Sequence, residues 1–119
     1  MTDPILGLTE LLEGDSKGYL RQNDRNLIVA ALLMGTVQSN ALSAPPGTET
    51  RGQVYVVSGT ASGLWTGQAA NTVAIALADT PTSALGWFFL APPTGMRLWV
   101  LAGSPTGHVV WNGSSFAAV

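Results

Sequence analysis

His108 is the only histidine and cysteine is absent. Thiol nucleophiles, disulfides and a metal site built from several imidazoles or thiolates of one chain are therefore excluded. A Ser-His-acid relay on His108 would have to take its acid from Glu49 or Asp79, and no serine sits in a nucleophile-elbow pattern. The glycines fit neither the P-loop nor the G-x-G-x-x-G spacing that cradles phosphate. Glu49 and Arg51 lie two apart, so in extended chain they face the same side and are expected to pair weakly at the surface. Serines and threonines cluster at turns, where hydroxyls satisfy nearby backbone groups. The sequence predicts no enzyme and no cofactor, with His108 a structural or surface residue.

Binding chemistry is better supplied, because the chain has four tryptophans and an aromatic face offers apolar contact to the C–H face of a sugar ring. Trp87 and Trp99 stand inside β-rich runs beside Phe88, Phe89, Leu98 and Val100, which predicts core positions. Trp65 and Trp111 are followed at once by Thr66-Gly67 and Asn112-Gly113, which puts them near strand ends. There they serve either as rim packing or as contacts to a ligand or subunit. A glycan site on Trp65 and Trp111 would rely on stacking and on neutral hydrogen bonds from Asn112, Asn71 or Gln68.

These side chains sit on a chain of 119 residues, which is room for one domain with an arm. Hydrophobic residues make up 46% and charged residues only 10%, against about 25% charged in an average soluble domain. With a net charge of −2 there is no basic field to attract nucleic acid or anionic lipid. The longest apolar run, residues 27–34, is far short of the roughly twenty needed to cross a bilayer, so no membrane insertion is expected. The N-terminus has no basic region followed by an apolar stretch, so a secretory signal is not expected either. So apolar and uncharged a surface predicts burial against neighbouring chains.

Eight of the twelve charges fall in the first 25 residues. Residues 1–22 read as a polar docking arm, broken by Gly7, Gly14 and Gly18 and anchored by Leu6, Leu8, Leu11, Leu12 and Tyr19; the plain alternative is a frayed terminus. Asn23 is a suitable N-cap and Asp24 supplies first-turn negative charge, which predicts a helix over 23–37 whose end is signalled by Gly35 and the Ser39-Asn40 pair. Its apolar residues cover the whole circumference, so it must be enclosed. Leu27, Ile28, Ala31, Leu32 and Met34 are the candidate contacts to symmetry mates, with burial inside one monomer as the alternative. Residues 38–51, with Ala44-Pro45-Pro46-Gly47, read as a stiff linker.

Residues 52–119 read as a β domain. Runs at 53–58, 63–65, 72–78, 86–91, 97–102, and 108–111 paired with 114–117 give six or seven strands, which predicts a compact antiparallel sandwich or barrel-like unit. Val73, Ile75 and Leu77 alternate with Ala74 and Ala76, the pattern of a half-buried strand. Trp111-Asn112-Gly113-Ser114 asks for a type I′ hairpin turn. The fold class is therefore mainly β: an N-terminal arm and one α-helix followed by a compact antiparallel domain.

Gly52-Gln53-Val54-Tyr55-Val56-Val57, Gly63-Leu64-Trp65-Thr66-Gly67, Val73-Ala74-Ile75-Ala76, Gly86-Trp87-Phe88-Phe89, Pro92-Pro93 with Gly95, Leu98-Trp99-Val100 and Val110-Trp111-Asn112-Gly113 follow one another in that order. This ordered set resembles a small domain of unknown function that recurs in tail, baseplate and fibre proteins of tailed bacteriophages and in gene transfer agents. The resemblance covers about residues 8–118. Gln53 and Met96 replace the acidic and aromatic residues common at those places, and the segment between Leu77 and Trp87 is longer than the family's tight turn. The resemblance implies a virion structural protein assembled in the host cytoplasm. It would be a homotrimeric fibre-like or baseplate component, held to other virion proteins by its arm and contributing to host attachment. Recognition of host surface polysaccharide as a carbohydrate-binding module is the alternative, and capsid decoration a third.

Overall fold

The structure, a computed structural model, describes the backbone of residues 18–119 and the side chains of residues 24–119. Leu6, Leu8, Leu11 and Leu12, and the side chain of Tyr19, lie outside the described residues, as does the expected arm up to residue 17; residues 18–22, expected to belong to the arm, are helical instead. The described chain begins with helix α1 (Gly18–Met34). Strands follow in the order β1 (Thr36–Leu42), β2 (Val54–Val57), β3 (Val73–Ala76), β4 (Trp87–Leu90), β5 (Arg97–Val100), β6 (Gly107–Trp111) and β7 (Phe116–Ala118).

The first correction concerns where α1 stops. Gly35 takes a left-handed φ of 61° and its N–H returns to the Ala31 carbonyl at 3.0 Å, a glycine cap that ends the helix there. Thr36 and Val37, counted in sequence as the tail of the helix, instead open β1. The stretch expected as linker thus begins with most of a strand. Asn23 lies inside α1 and does not cap it.

β1 is the centre of a single seven-stranded sheet of order β4-β3-β2-β1-β5-β6-β7. It runs parallel to both neighbours, Val37 facing Val54 on one side and Val100 on the other. On each flank lies an antiparallel meander, β2-β3-β4 and β5-β6-β7. The expectation of a purely antiparallel domain is therefore corrected to a mixed sheet, and the parallel pairs are long-range contacts that no local pattern announces.

The sheet curls around one main core. Ile28 and Ala31 of α1 meet Val37, Val54, Val56, Val73, Ile75, Leu90, Leu98, Val100, Val109 and Phe116, so every strand contributes. Burying a side chain of this kind contributes about 1.5–3 kcal/mol. The helix is fixed on its sheet-facing side only: Ile28 is 3% exposed, whereas Leu33 is 82% and Met34 77% exposed. Among the described residues, enclosure of the helix is therefore incomplete.

Two local readings are also corrected. Gly63–Trp65 is a 3-10 turn and not a strand. The β6–β7 connection is not a type I′ turn, because Gly113 has a positive φ and Asn112 does not. Instead Asn112 Oδ1 accepts from the Ser114 N–H at 2.9 Å, the Ser115 N–H at 2.9 Å and the Ser114 hydroxyl at 3.0 Å. This side chain adds to the one backbone bond across the four-residue loop, from the Asn112 N–H to the Ser115 carbonyl at 3.1 Å.

Candidate functional site

The outer face of the first meander is covered. Ala74 and Ala76 of β3 are fully buried there because their small side chains leave room for bulky neighbours. Tyr55, Trp65 and Trp87 fill that room. Trp65 and Trp87 meet edge to face, centroids 5.3 Å apart and planes at 86°, and Tyr55 lies 5.9 Å from Trp65 and 6.0 Å from Trp87. Such tilted pairs place a positive ring edge against a negative face. Neither indole N–H finds a hydrogen-bond acceptor, so apolar burial and ring geometry hold this cluster.

Tyr55 is the polar rim of the cluster. Its hydroxyl donates to Gln53 Oε1 at 3.2 Å. Burial first, and the negative charge of Glu49 second, push its pKa above the ordinary tyrosine range. Glu49 is buried and accepts from the Gly47 N–H at 2.8 Å. Arg51 turns elsewhere, donating Nε–H to the Leu77 carbonyl and its backbone N–H to Asp79 Oδ1. The expected surface pair between Glu49 and Arg51 does not form; the connection from 43 to 53 folds back on the sheet and separates them.

Nothing among the described residues covers the outer face of the second meander. In β5 the side chains alternate, Leu98 and Val100 into the core, Arg97 and Trp99 outward. Trp99 is 52% exposed and Leu101 is exposed beyond it. Leu33, Met34 and Trp99 line one shallow concavity with Arg97 and His108. Val29, one helical turn before Leu33, extends the apolar strip.

These positions reverse much of the tryptophan assignment. Trp65, the candidate glycan platform, has no exposed surface and stacks on nothing outside the protein. Trp111 is half-buried and tilts against Phe116 at 5.0 Å, and Asn112 spends its carbonyl oxygen on its own loop. Trp87 is core as expected, but Trp99, also expected in the core, is the exposed one. The charged Arg97 two residues before Trp99 is the signal that could have shown this, since residues two apart in a strand share a face.

The helix candidates divide in the same way. Ile28 and Ala31 are buried on the chain's own sheet and are not free for symmetry mates. Leu27 and Leu32 are partly buried, and Leu27 reaches to Gly52, where an added Cβ would stand 3.1 Å from its Cδ1. Met34 alone of the five is largely exposed. Sequence reasoning did not single out Val29, Leu33 or Leu101.

No group of acidic residues and histidine that would hold a metal occurs among the described residues, and no described helix is long and apolar enough to cross a membrane. His108 is exposed on β6 beside Trp99.

The family described as "Protein of unknown function (DUF2793)" matches residues 23–117, which takes in α1 from Asn23, strands β1 to β6 and the first two residues of β7. The chain belongs to the DUF2793 family. No curated protein and no solved structure matches it. The DUF2793 match begins inside α1, so the family unit comprises the helix and the sheet it packs on, and includes both the covered and the bare meander.

Proposed function

We propose that this chain is a structural subunit of a virion that assembles with copies of itself through the strip formed by Val29, Leu33, Met34, Trp99 and Leu101. The observation that carries the reading is this strip of large apolar side chains, open on two adjoining elements of one chain. Patches of this kind mark interaction surfaces, and the sparse charge of the rest of the sequence gives a second copy more to bury than a charged partner would find. The bacteriophage setting and the trimeric state come from the sequence resemblance. In that setting residues 1–22 anchor the subunit to other virion proteins in a tail, baseplate or fibre.

Sedimentation velocity tests the assembly. The full chain is expected to sediment as a trimer at micromolar concentration, and Leu33→Ser combined with Trp99→Ser to sediment as a folded monomer. A full chain that stays monomeric overturns the reading. Removal of residues 1–17 is expected to leave the trimer intact and abolish incorporation into particles.

A further inference from the structure

A second concave site lies away from the apolar strip. At one end of the sheet β1 leaves regular register, with shifts between Val37 and Ser39 and between Ser39 and Leu42, and the β5–β6 connection turns in against it. The space left between that connection, the end of β2, the turn before β3 and the start of β7 is a cleft of about 310 Å³. It is at the small end of the range of small-molecule sites, roughly 300–1,000 Å³. Val57 and Phe116, both buried, form its apolar floor.

One wall is fixed. Asn40 Oδ1 accepts from the Ser104 N–H at 2.9 Å, and its Nδ2 donates to the Ser104 carbonyl at 3.2 Å and the Pro105 carbonyl at 3.3 Å. The Asn40 N–H is bound in turn by the Ala102 carbonyl at 3.1 Å. Gly103 permits this approach, because an added Cβ there would overlap Asn40 Oδ1. The opposite wall is Asn71, a non-glycine residue at φ 71° whose backbone N–H is held by the Val57 carbonyl at 2.7 Å. The left-handed backbone fixes the direction in which the Asn71 side chain leaves the chain.

The chemistry of the lining is uniform. Ser58, Asn71, Ser104 and Ser115 border the cleft, and their hydroxyls and carboxamide make no hydrogen bond within the described chain. No ionisable side chain lines it. Phosphate, carboxylate and ammonium groups would find no opposite charge here, and a purely apolar ligand would strand the polar walls. A ring bearing several hydroxyls satisfies both, its C–H face against the accessible edge of Phe116 and its hydroxyls on the serines and Asn71.

We propose that this cleft binds one ring of a neutral saccharide. The site is independent of self-association and of virion membership, and it shares neither Trp65 nor Trp111 with the glycan platform read from sequence.

The test is amide-resolved NMR titration of the full chain with the methyl glycosides of glucose, galactose and N-acetylglucosamine. Saturable shifts are expected at Ser58, Asn71, Ser104 and Ser115 and not at Trp99, with an affinity unchanged between pH 5 and pH 9, roughly the span over which only groups outside the cleft titrate. Asn71→Gly keeps the backbone conformation and removes the carboxamide, and Ser115→Ala removes one hydroxyl; each is expected to weaken binding by about tenfold, near 1.4 kcal/mol. Tighter binding of an oligosaccharide than of its monosaccharide glycoside would assign the ligand to a polymer, and equal binding to a free sugar. Absence of saturable shifts with all three glycosides, shifts confined to the Trp99 strip, or unaltered affinity in both variants overturns the proposal.

Discussion

The two meanders that flank β1 have the same strand order and opposite surroundings. In β2-β3-β4 both faces of the two inner strands are buried, one against the common core and one beneath Trp65 and Trp87. In β5-β6-β7 the inner face reaches the same core, but the outer face carries Arg97, Trp99 and His108 toward solvent. The difference lies in the connections. The segment between β2 and β3 is long enough to fold a 3-10 turn over its own meander, whereas the connections within the second meander hold only residues 101–106 and 112–115. A bulky aromatic thus stabilises the fold on one side of β1 and is available for contact on the other.

Removing the two tryptophans separates these roles. Trp65→Ala deletes a fully buried ring with two aromatic neighbours and is expected to cost about 3–5 kcal/mol, read as a fall in the urea midpoint with little change in slope. Gly103→Ala is expected to cost about 2 kcal/mol, because Asn40 must give up its clamp on the β5–β6 connection and the backbone sits at φ 121°. The same measurement reads it, and Asn40→Ala in the same chain should remove much of the added penalty.

Tyr55→Phe is expected to cost about 1 kcal/mol at neutral pH through the lost bond to Gln53. It also has a pH signature. The folded pKa is raised, so above about pH 10 the unfolded chain loses the tyrosine proton while the native one retains it. Stability therefore falls as pH rises through that window, and the Phe variant should show a shallower alkaline decline in urea titrations.

The smallest effect on stability belongs to the bare face. Trp99→Ser is expected to change unfolding free energy by no more than about 0.5 kcal/mol in the monomer. Its readout is the sedimentation coefficient. A loss comparable to that of Trp65→Ala would mean the two meanders are equally dependent on their aromatics and would dissolve the contrast.

Much of the β architecture was legible because it is local. The alternation at 73–77 and the runs at 53–58, 86–91 and 97–102 each enclose one of β2 to β5, although β3 is buried on both faces and not on one as the alternation implies, and the apolar run at 27–34 coincides with the last turns of α1. The strand at 36–42 was not, since Thr36-Val37 continues an apolar helix in composition and only the left-handed Gly35 separates them. The site was less legible than the fold. Trp65 beside a glycine looks like a rim residue, and nothing near it in sequence says that it closes over Ala74 and Ala76 from the other end of a loop.

Composition and periodicity, which act through neighbours a few residues apart, determined that this chain is poor in charge and in catalytic groups and that its described part is mainly β with one helix. The tertiary structure decided the mixed sheet around a parallel β1, which side of α1 is covered, and which tryptophans are core or surface. Those outcomes depend on pairings between strands far apart in the chain and on the path of the loops between them. The free energy of burying a side chain is set by what finally packs against it, and for Trp65 and Trp99 that neighbour is not adjacent in sequence.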